Sequence, residues 1–549
     1  MEKLKLNCHI VRVILIAFAL GSWIAGGVFA ESYDVDSGFR PIKDGFSFVN
    51  YGEVGCSDPL CFREFPIVNL GVDEMVRLFG RSVCVNPDAD ESCALSKVAA
   101  SWMENANAAM NNGHCEGLSI LSALFYRGVL APDRFGAPTV DQLFLPGNTR
   151  LQREIAYWYA TQLLTETVVV EEDPIALLRT LILALRENPD RIIQLGLYRR
   201  DRQFGHTVSA YAIRDMGEGI FRVMVYDSNF PAIERFITID VKTNSWQYLG
   251  SSLPTAKTTI YSGEGTFNPI RRIEMNEKLD GFHCEFCPTP EEASDAPVRI
   301  VTNGKTDIFI ADETGKKAGV DWKTGESFDE LPGVTFRQIL GTNSAVFPRD
   351  QQYFFWLNSP NDQQWQRFHV SLTEPGSILT LTNVLESYEY PTLTYRPADP
   401  DANISFESFD VLASPNALPE ISYVVANQSV EARIVFRPEA IGNWEEVRNL
   451  NIFLFHDESI GTIAIEVYPA KESEASAAAE DFSLRFNGRI ELYQGEKALT
   501  AESAAFLQPV EIGLGGRFTF NYLEWGETGR LRFDVLPSEM GLIWTFDAE

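Results

Sequence analysis

The stretch "FGHTVSAYAIRDMGEGIFRVMVYDSNFP", residues 204–231, decides how the first half of the chain is read. Residues 207–213 are rich in β-branched and aromatic side chains, which predicts a strand. Met216-Gly217-Glu218-Gly219 supplies a tight turn, and residues 221–226 form a second strand. Folding the two together puts His206, at the start of the first, beside Asp227, Ser228 and Asn229, at the end of the second. An imidazole held there by Asp227 or Asn229 has its tautomer and orientation set. Residues 227–231 also have the composition of an ordinary strand-ending turn, so the hairpin alone assigns no chemistry.

A reaction partner for that imidazole lies upstream in "NNGHCEGLSIL", residues 111–121. Asn111, Asn112 and Gly113 end a helix-like stretch over residues 97–110, and Leu118, Leu121, Leu124 and Phe125 then recur at helical spacing. Cys115 therefore falls in the first turn of a helix. Backbone N–H groups there lack helical acceptors and sit at the positive end of the macrodipole, which stabilises a thiolate or an oxyanion. His114 adjoins the cysteine, but neighbouring helical side chains point in different directions, which makes it a poor base. His369 and His456 lie in a β-rich half. His206 is thus the leading candidate base, with His283 behind it.

The cysteines take their meaning from the N-terminus. Lys3, Lys5 and Arg12 precede an apolar run over residues 13–28, and Val28-Phe29-Ala30 has a small residue at the cleavage position. This predicts a signal peptide over residues 1–30, cleaved after Ala30, and a secreted or periplasmic protein with no membrane insertion after cleavage. Cys8 leaves with it, and the seven cysteines that remain are an odd number. In an oxidising compartment the nearest-neighbour pairs are Cys56 with Cys61, Cys84 with Cys93, and Cys284 with Cys287, although sequence does not settle connectivity. Cys115 has no local partner. It is a reactive thiol, an inert buried one, or the link to another chain. His283-Cys284-Glu285-Phe286-Cys287 has the look of a zinc half-site, but the second close pair that structural zinc draws on is missing. No cofactor or metal is implied.

Cysteine at a helix start, histidine opening a strand and Asp or Asn closing the next strand together resemble the papain-like cysteine peptidase superfamily. The resemblance spans about residues 32–288: "GHCEGLS" is similar to the nucleophile helix, "GHTVSAYAI" to the histidine strand and "FRVMVYDSN" to the strand that delivers the third member. It implies a catalytic Cys115, His206 as base and Asp227 as its orienting group, with Asn229 in reserve. The family's oxyanion glutamine has Ala109 in its place, six residues before the cysteine, which leaves Asn111 and Asn112 as candidate oxyanion donors. Glu116 stands where papain carries tryptophan. Transglutaminase-like proteins share the Cys, His, Asp order, but usually carry an aromatic residue soon after the histidine, where this chain has Thr207-Val208-Ser209.

Outward from the site, residues 150–187 read as helical, with stripes at Leu151, Ile155, Trp158, Tyr159, Leu163 and Leu164, and at Leu177, Leu178, Leu181 and Leu185. Residues 191–198 read as a buried strand. Helices first and an antiparallel sheet later give an α+β domain over residues 31–288, papain-like by resemblance, followed by an all-β sandwich-like region. That region divides into β modules at 289–470, a linker at 471–481 ("KESEASAAAED") and a last β segment at 482–549. Hairpins are expected at Asn303-Gly304, at Asn487-Gly488 and within residues 517–536. Trp356, Trp365 and Trp444 read as core, and Asp399-Pro400-Asp401 as a solvated turn.

Loss of residues 1–30 takes the formal charge from −30 to −32, against nucleic acid or anionic lipid as a partner. The expectation is a secreted cysteine hydrolase acting on peptide, protein or cell-wall amides. The alternatives are acyl transfer to an amine, or a catalytically silent domain used in binding or adhesion.

Overall fold

The structure is a computed structural model and describes residues 34–536 apart from 53–64, 89–91, 112, 165, 201–204, 252–256, 275–278, 288–295, 304–306, 322–325, 340–341, 359–368, 383, 385–390, 398–406, 415–417, 427–430, 443–449, 458–461, 470–481, 495–496, 499–509 and 523–532. The expected signal peptide, Cys56, Cys61, Asn112, Trp365, Trp444, the 399–401 turn and the 471–481 linker lie outside the described residues.

The hairpin of residues 205–226 sits in the middle of the first sheet. Its strands are β1 (Val35–Asp36), β2 (Val168–Glu172), β3 (Ile193–Tyr198), β4 (Gly205–Asp215), β5 (Ile220–Tyr226), β6 (Arg235–Asp240), β7 (Ser245–Gly250), β8 (Thr259–Glu264) and β9 (Ile270–Glu274). Their order is β2-β9-β3-β4-β5-β6-β7-β8, with β1 beside the far half of β4, and every pairing is antiparallel. Gly217, Glu218 and Gly219 all take positive φ (82°, 55° and 86°), which turns β4 tightly into β5 and suits glycine at two of the three positions. The register slips between Ala210 and Ala212, a bulge in the strand that carries His206.

The helices are α1 (Pro41–Asp44), α2 (Val72–Phe79), α3 (Lys97–Met110), α4 (Cys115–Tyr126), α5 (Thr149–Ala160) and α6 (Pro174–Glu187). Most of β4 is buried, because both faces of the sheet are covered. The helices α2 to α5 share one core with Tyr211, Ala212 and Tyr226. On the other face Leu177, Leu178, Leu181 and Leu185 of α6 pack against Leu195, Leu197, Val208 and Val223. The stretch 150–187 is not one helical run: α5 passes into a short 3₁₀ turn (Thr161–Leu163), β2 follows, and α6 restarts with Asp173 capping the N–H groups of Ile175 and Ala176 and Pro174 at its first position.

Among the described residues from Val298 onward two ten-stranded antiparallel sheets face each other across a single core, in which Ile300, Leu372, Tyr423 and Ile434 of one meet Phe355, Val411, Leu454 and Ile465 of the other. Leu450–Asp457 shows the pattern that builds it, with every second residue buried. Strands on both sides of residues 471–481 belong to these same sheets: Ser483–Gln494 pairs along the whole of Glu431–Ile441, and Arg517–Asn521 pairs with Thr462–Pro469. Two expected hairpins are absent. Val298–Asn303 and Asp307–Asp312 lie in opposite sheets, and Asn487-Gly488 sits inside an unbroken strand opposite Arg437 and Phe436. The hairpin of residues 517–536 pairs Arg517 with Leu536. Trp356 is half-buried beside Phe309, not enclosed in the core.

The fold class departs from the expected α+β. Among the described residues strands make up 45 % against 22 % helix, gathered into three large antiparallel sheets, and no clear papain-like α+β N-terminal domain stands out. Long helical stripes such as those of α5 and α6 are conspicuous in sequence. Short strands such as β2, β6, β7 and β9, held by partners distant in the chain, are not.

Candidate active site

Cys115 is the first residue of α4, with a free, partly exposed thiol. The chain enters the helix through Gly113, at φ 124°, a conformation that excludes most side chains. Further along, a Cβ on Gly117 would lie 2.1 Å from the carbonyl oxygen of Ile155, so only glycine lets α4 cross α5 this closely. Two hydrogen bonds zip α4 to β4. The Thr207 hydroxyl donates to Glu116 Oε2 (2.5 Å), and the Ser119 and Ser209 hydroxyls lie 2.5 Å apart. Residues 116 and 119 share a helix face and residues 207 and 209 a strand face, so the two periodicities meet at this seam.

His206, the second residue of β4, is fully buried. Its Nε2 lies 2.6 Å from Asp227 Oδ1, the imidazole N–H donating to the carboxylate. Asp227, also fully buried, accepts from the Asn229 backbone N–H as well (2.8 Å), and its Oδ2 accepts from the Tyr248 hydroxyl. Three donors offset the desolvation of this carboxylate. Nδ1 of His206 makes no hydrogen bond among the described residues, and the Cys115 side chain lies near enough to the ring to raise its pKa. Burial alone would lower the pKa of His206, but the Asp227 charge and hydrogen bond, together with Cys115, raise it to about 10. The buried carboxylate on one nitrogen thus favours the protonated form of the ring.

The other predicted residues have different places. The Asn229 side chain donates to the Ser251 carbonyl (2.7 Å), not to His206, so the orienting role falls to Asp227. Asn111 caps α3, and no hydrogen bond joins its side chain to Cys115 or His206 among the described residues. His114 is a packing residue: its ring stacks on Tyr51, with Nδ1 on the Tyr51 carbonyl (2.8 Å) and Nε2 on the Asn69 side chain (2.9 Å), and burial pushes its pKa down to about 4. His283 is exposed beside the Cys284–Cys287 disulfide, so that C-x-x-C is a covalent loop. Cys84 and Cys93 are also joined. His456 is held between the Tyr423 and Tyr522 hydroxyls in the sandwich (2.8 and 3.1 Å). Groups of three or more His, Cys, Asp or Glu placed to hold a metal are absent among the described residues.

Sequence reasoning missed Tyr248 and the Glu116–Thr207 seam. The alternation in Ser245–Gly250 buries Trp246, Tyr248 and Gly250, which would have turned Tyr248 inward, yet nothing local names Asp227 as its partner. No family model, curated protein or solved structure matches the chain.

Proposed function

We propose that the protein is a cysteine hydrolase of amide or peptide bonds, with Cys115 as nucleophile, His206 as acid and base, and Asp227 as the group that orients His206. One observation carries this reading: a free thiol at a helix start bears on an imidazole whose far nitrogen is locked to a buried carboxylate. The Cys115 sulfur attacks the amide carbonyl and an S–C bond forms. The C–N bond then breaks as His206 gives its proton to the leaving amine. Water attacks the thioester, returns a proton to His206 and releases the acid. Substrates are peptides, proteins or cell-wall amides. The Cys84–Cys93 and Cys284–Cys287 disulfides support a secreted or periplasmic location after cleavage at Ala30.

The test is alkylation of the purified protein with iodoacetamide at neutral pH, alongside hydrolysis assays. Cys115 should react faster than free cysteine, His206→Ala should remove the acceleration, and Cys115→Ala should abolish hydrolysis. A primary amine added to the reaction reports acyl transfer if it is incorporated into product. The enzyme reading is lost if Cys115 reacts like a model thiol and Cys115→Ala changes no hydrolytic activity.

A further inference from the structure

The hydrolase reading leaves unassigned the donor that would stabilise the oxyanion formed when the Cys115 sulfur adds to a carbonyl. We infer that Asn50 is that donor. The inference rests on the proposed chemistry and adds a catalytic residue to it.

Asn50 is 2 % exposed and lies 65 residues before the nucleophile, yet it joins both sides of the site. Its backbone N–H donates to the carbonyl of Ser228, next to Asp227 (2.9 Å). Its side-chain Oδ1 accepts from the backbone N–H of His114, next to Cys115 (2.8 Å). A backbone N–H can only donate, so the oxygen of the amide must face His114 and the NH₂ must point elsewhere. That NH₂ group is buried and has no acceptor among the described residues. Buried amide donors are nearly always satisfied, so an orphan of this kind calls for an explanation.

The neighbourhood supplies one. The Asn50 carboxamide packs against Gly113, where an added Cβ would lie 3.0 Å from Nδ2, so glycine keeps the amide close to the helix start. The backbone N–H of Cys115, at the first helical position, has no acceptor within its helix. Both donors thus belong to the start of α4, the backbone N–H of Cys115 and the Asn50 amide packed on Gly113 and His114, a pairing suited to stabilise a carbonyl oxygen as it becomes an anion.

Two reagents separate this role from a structural one in the full-length chain. p-Nitrophenyl acetate acylates the thiol through a tetrahedral oxyanion: the S–C bond forms, the bond to p-nitrophenolate breaks, and the phenolate is counted by its absorbance. Iodoacetamide alkylates the same sulfur by displacing iodide, with no oxyanion. Cys115→Ala sets the background for both. Asn50→Ala should slow the Cys115-dependent burst of p-nitrophenolate by roughly 10²-fold and leave the alkylation rate within about twofold. Should Asn50→Ala fail to fold, Asn50→Asp retains the acceptor for the His114 N–H, replaces the donor by an oxygen, and should show the same selective loss of acylation. Equal loss in both reactions, or an unchanged burst, overturns the role of Asn50 and leaves the hydrolase reading intact. A wild-type chain with neither a burst nor accelerated alkylation sinks both.

Discussion

At the residue scale the site is a chain of proton donors and acceptors whose members were chosen for different reasons. Asp227 has the largest leverage, since it holds a buried imidazolium in place. Asp227→Asn keeps the shape but removes the charge and can present an N–H to a ring nitrogen that needs an acceptor. The alkylation rate of Cys115 at pH 7 should fall by about 10²- to 10⁴-fold. Tyr248→Phe removes one donor from the same carboxylate and leaves Oδ2 unsatisfied. It should cost about 1–3 kcal/mol in urea denaturation, and the activity loss should be smaller than that of Asp227→Asn. The pH dependence follows from His206. Its folded-state pKa lies above the ordinary 6.5, so the stabilisation it brings is whole below pH 6.5 and is lost as pH rises through about 10. Under the proposed mechanism the imidazolium protonates the leaving amine, so amide turnover should decline over that alkaline limb. A decline centred near pH 7 would contradict the ion-paired ring.

At the element scale the position of Cys115 depends on how α4 is clamped between α5 and β4. Gly117→Ala would drive a methyl group into the Ile155 carbonyl. The helices must then part, at a cost of about 1–3 kcal/mol in stability, and alkylation of Cys115 should slow as the sulfur moves away from His206. The Glu116–Thr207 seam titrates. Burial raises Glu116 to about 7, with the Thr207 hydrogen bond opposing that shift, so the carboxyl is neutral in the folded state at mildly acid pH. Stability is therefore full below about pH 4.5 and falls as pH rises through about 7, by roughly 3 kcal/mol in all. Glu116→Gln mimics the neutral form. Its urea midpoint should change less than that of the wild type between pH 5 and pH 8, and parallel curves would show that Glu116 does not titrate in this range.

At the scale of the whole molecule, the site-bearing half and the sandwich are not beads on a string. Ile378, Val424 and Ala426 of the sandwich belong to the same core as Trp102, Phe79 and Phe286. Phe286 accepts a backbone hydrogen bond from Gly376 (3.0 Å), and the Lys97 N–H at the start of α3 donates to Glu431 (3.1 Å). Trp102 stacks on Phe286 and meets Phe79 edge-on. Trp102→Ala should cost about 3–5 kcal/mol and lower the denaturation midpoint of both halves together. Two transitions, of which only one moves, would show that the halves unfold independently.

Local chemistry determined a good deal by itself. The Gly217-Glu218-Gly219 turn, the helix break at Gly113, the start of α4 at Cys115 and the disulfides Cys84–Cys93 and Cys284–Cys287 depend on residues a few positions apart, and their signatures stand in the sequence. The order of Cys115, His206 and Asp227 was legible for the same reason: each opens or closes an element with a clear boundary. The tertiary structure alone decided the rest. The α+β expectation failed because strand pairing joins segments as distant as residues 168–172 and 270–274, and no local pattern says which strands become neighbours. Asn303-Gly304 has turn chemistry, but whether a turn closes a hairpin or crosses between two sheets depends on which core each strand buries its side chains in. Tyr248 on Asp227 and Asn50 on His114 are contacts made across the fold, and a side chain facing solvent in the unfolded chain carries no mark of the partner that folding will bring to it.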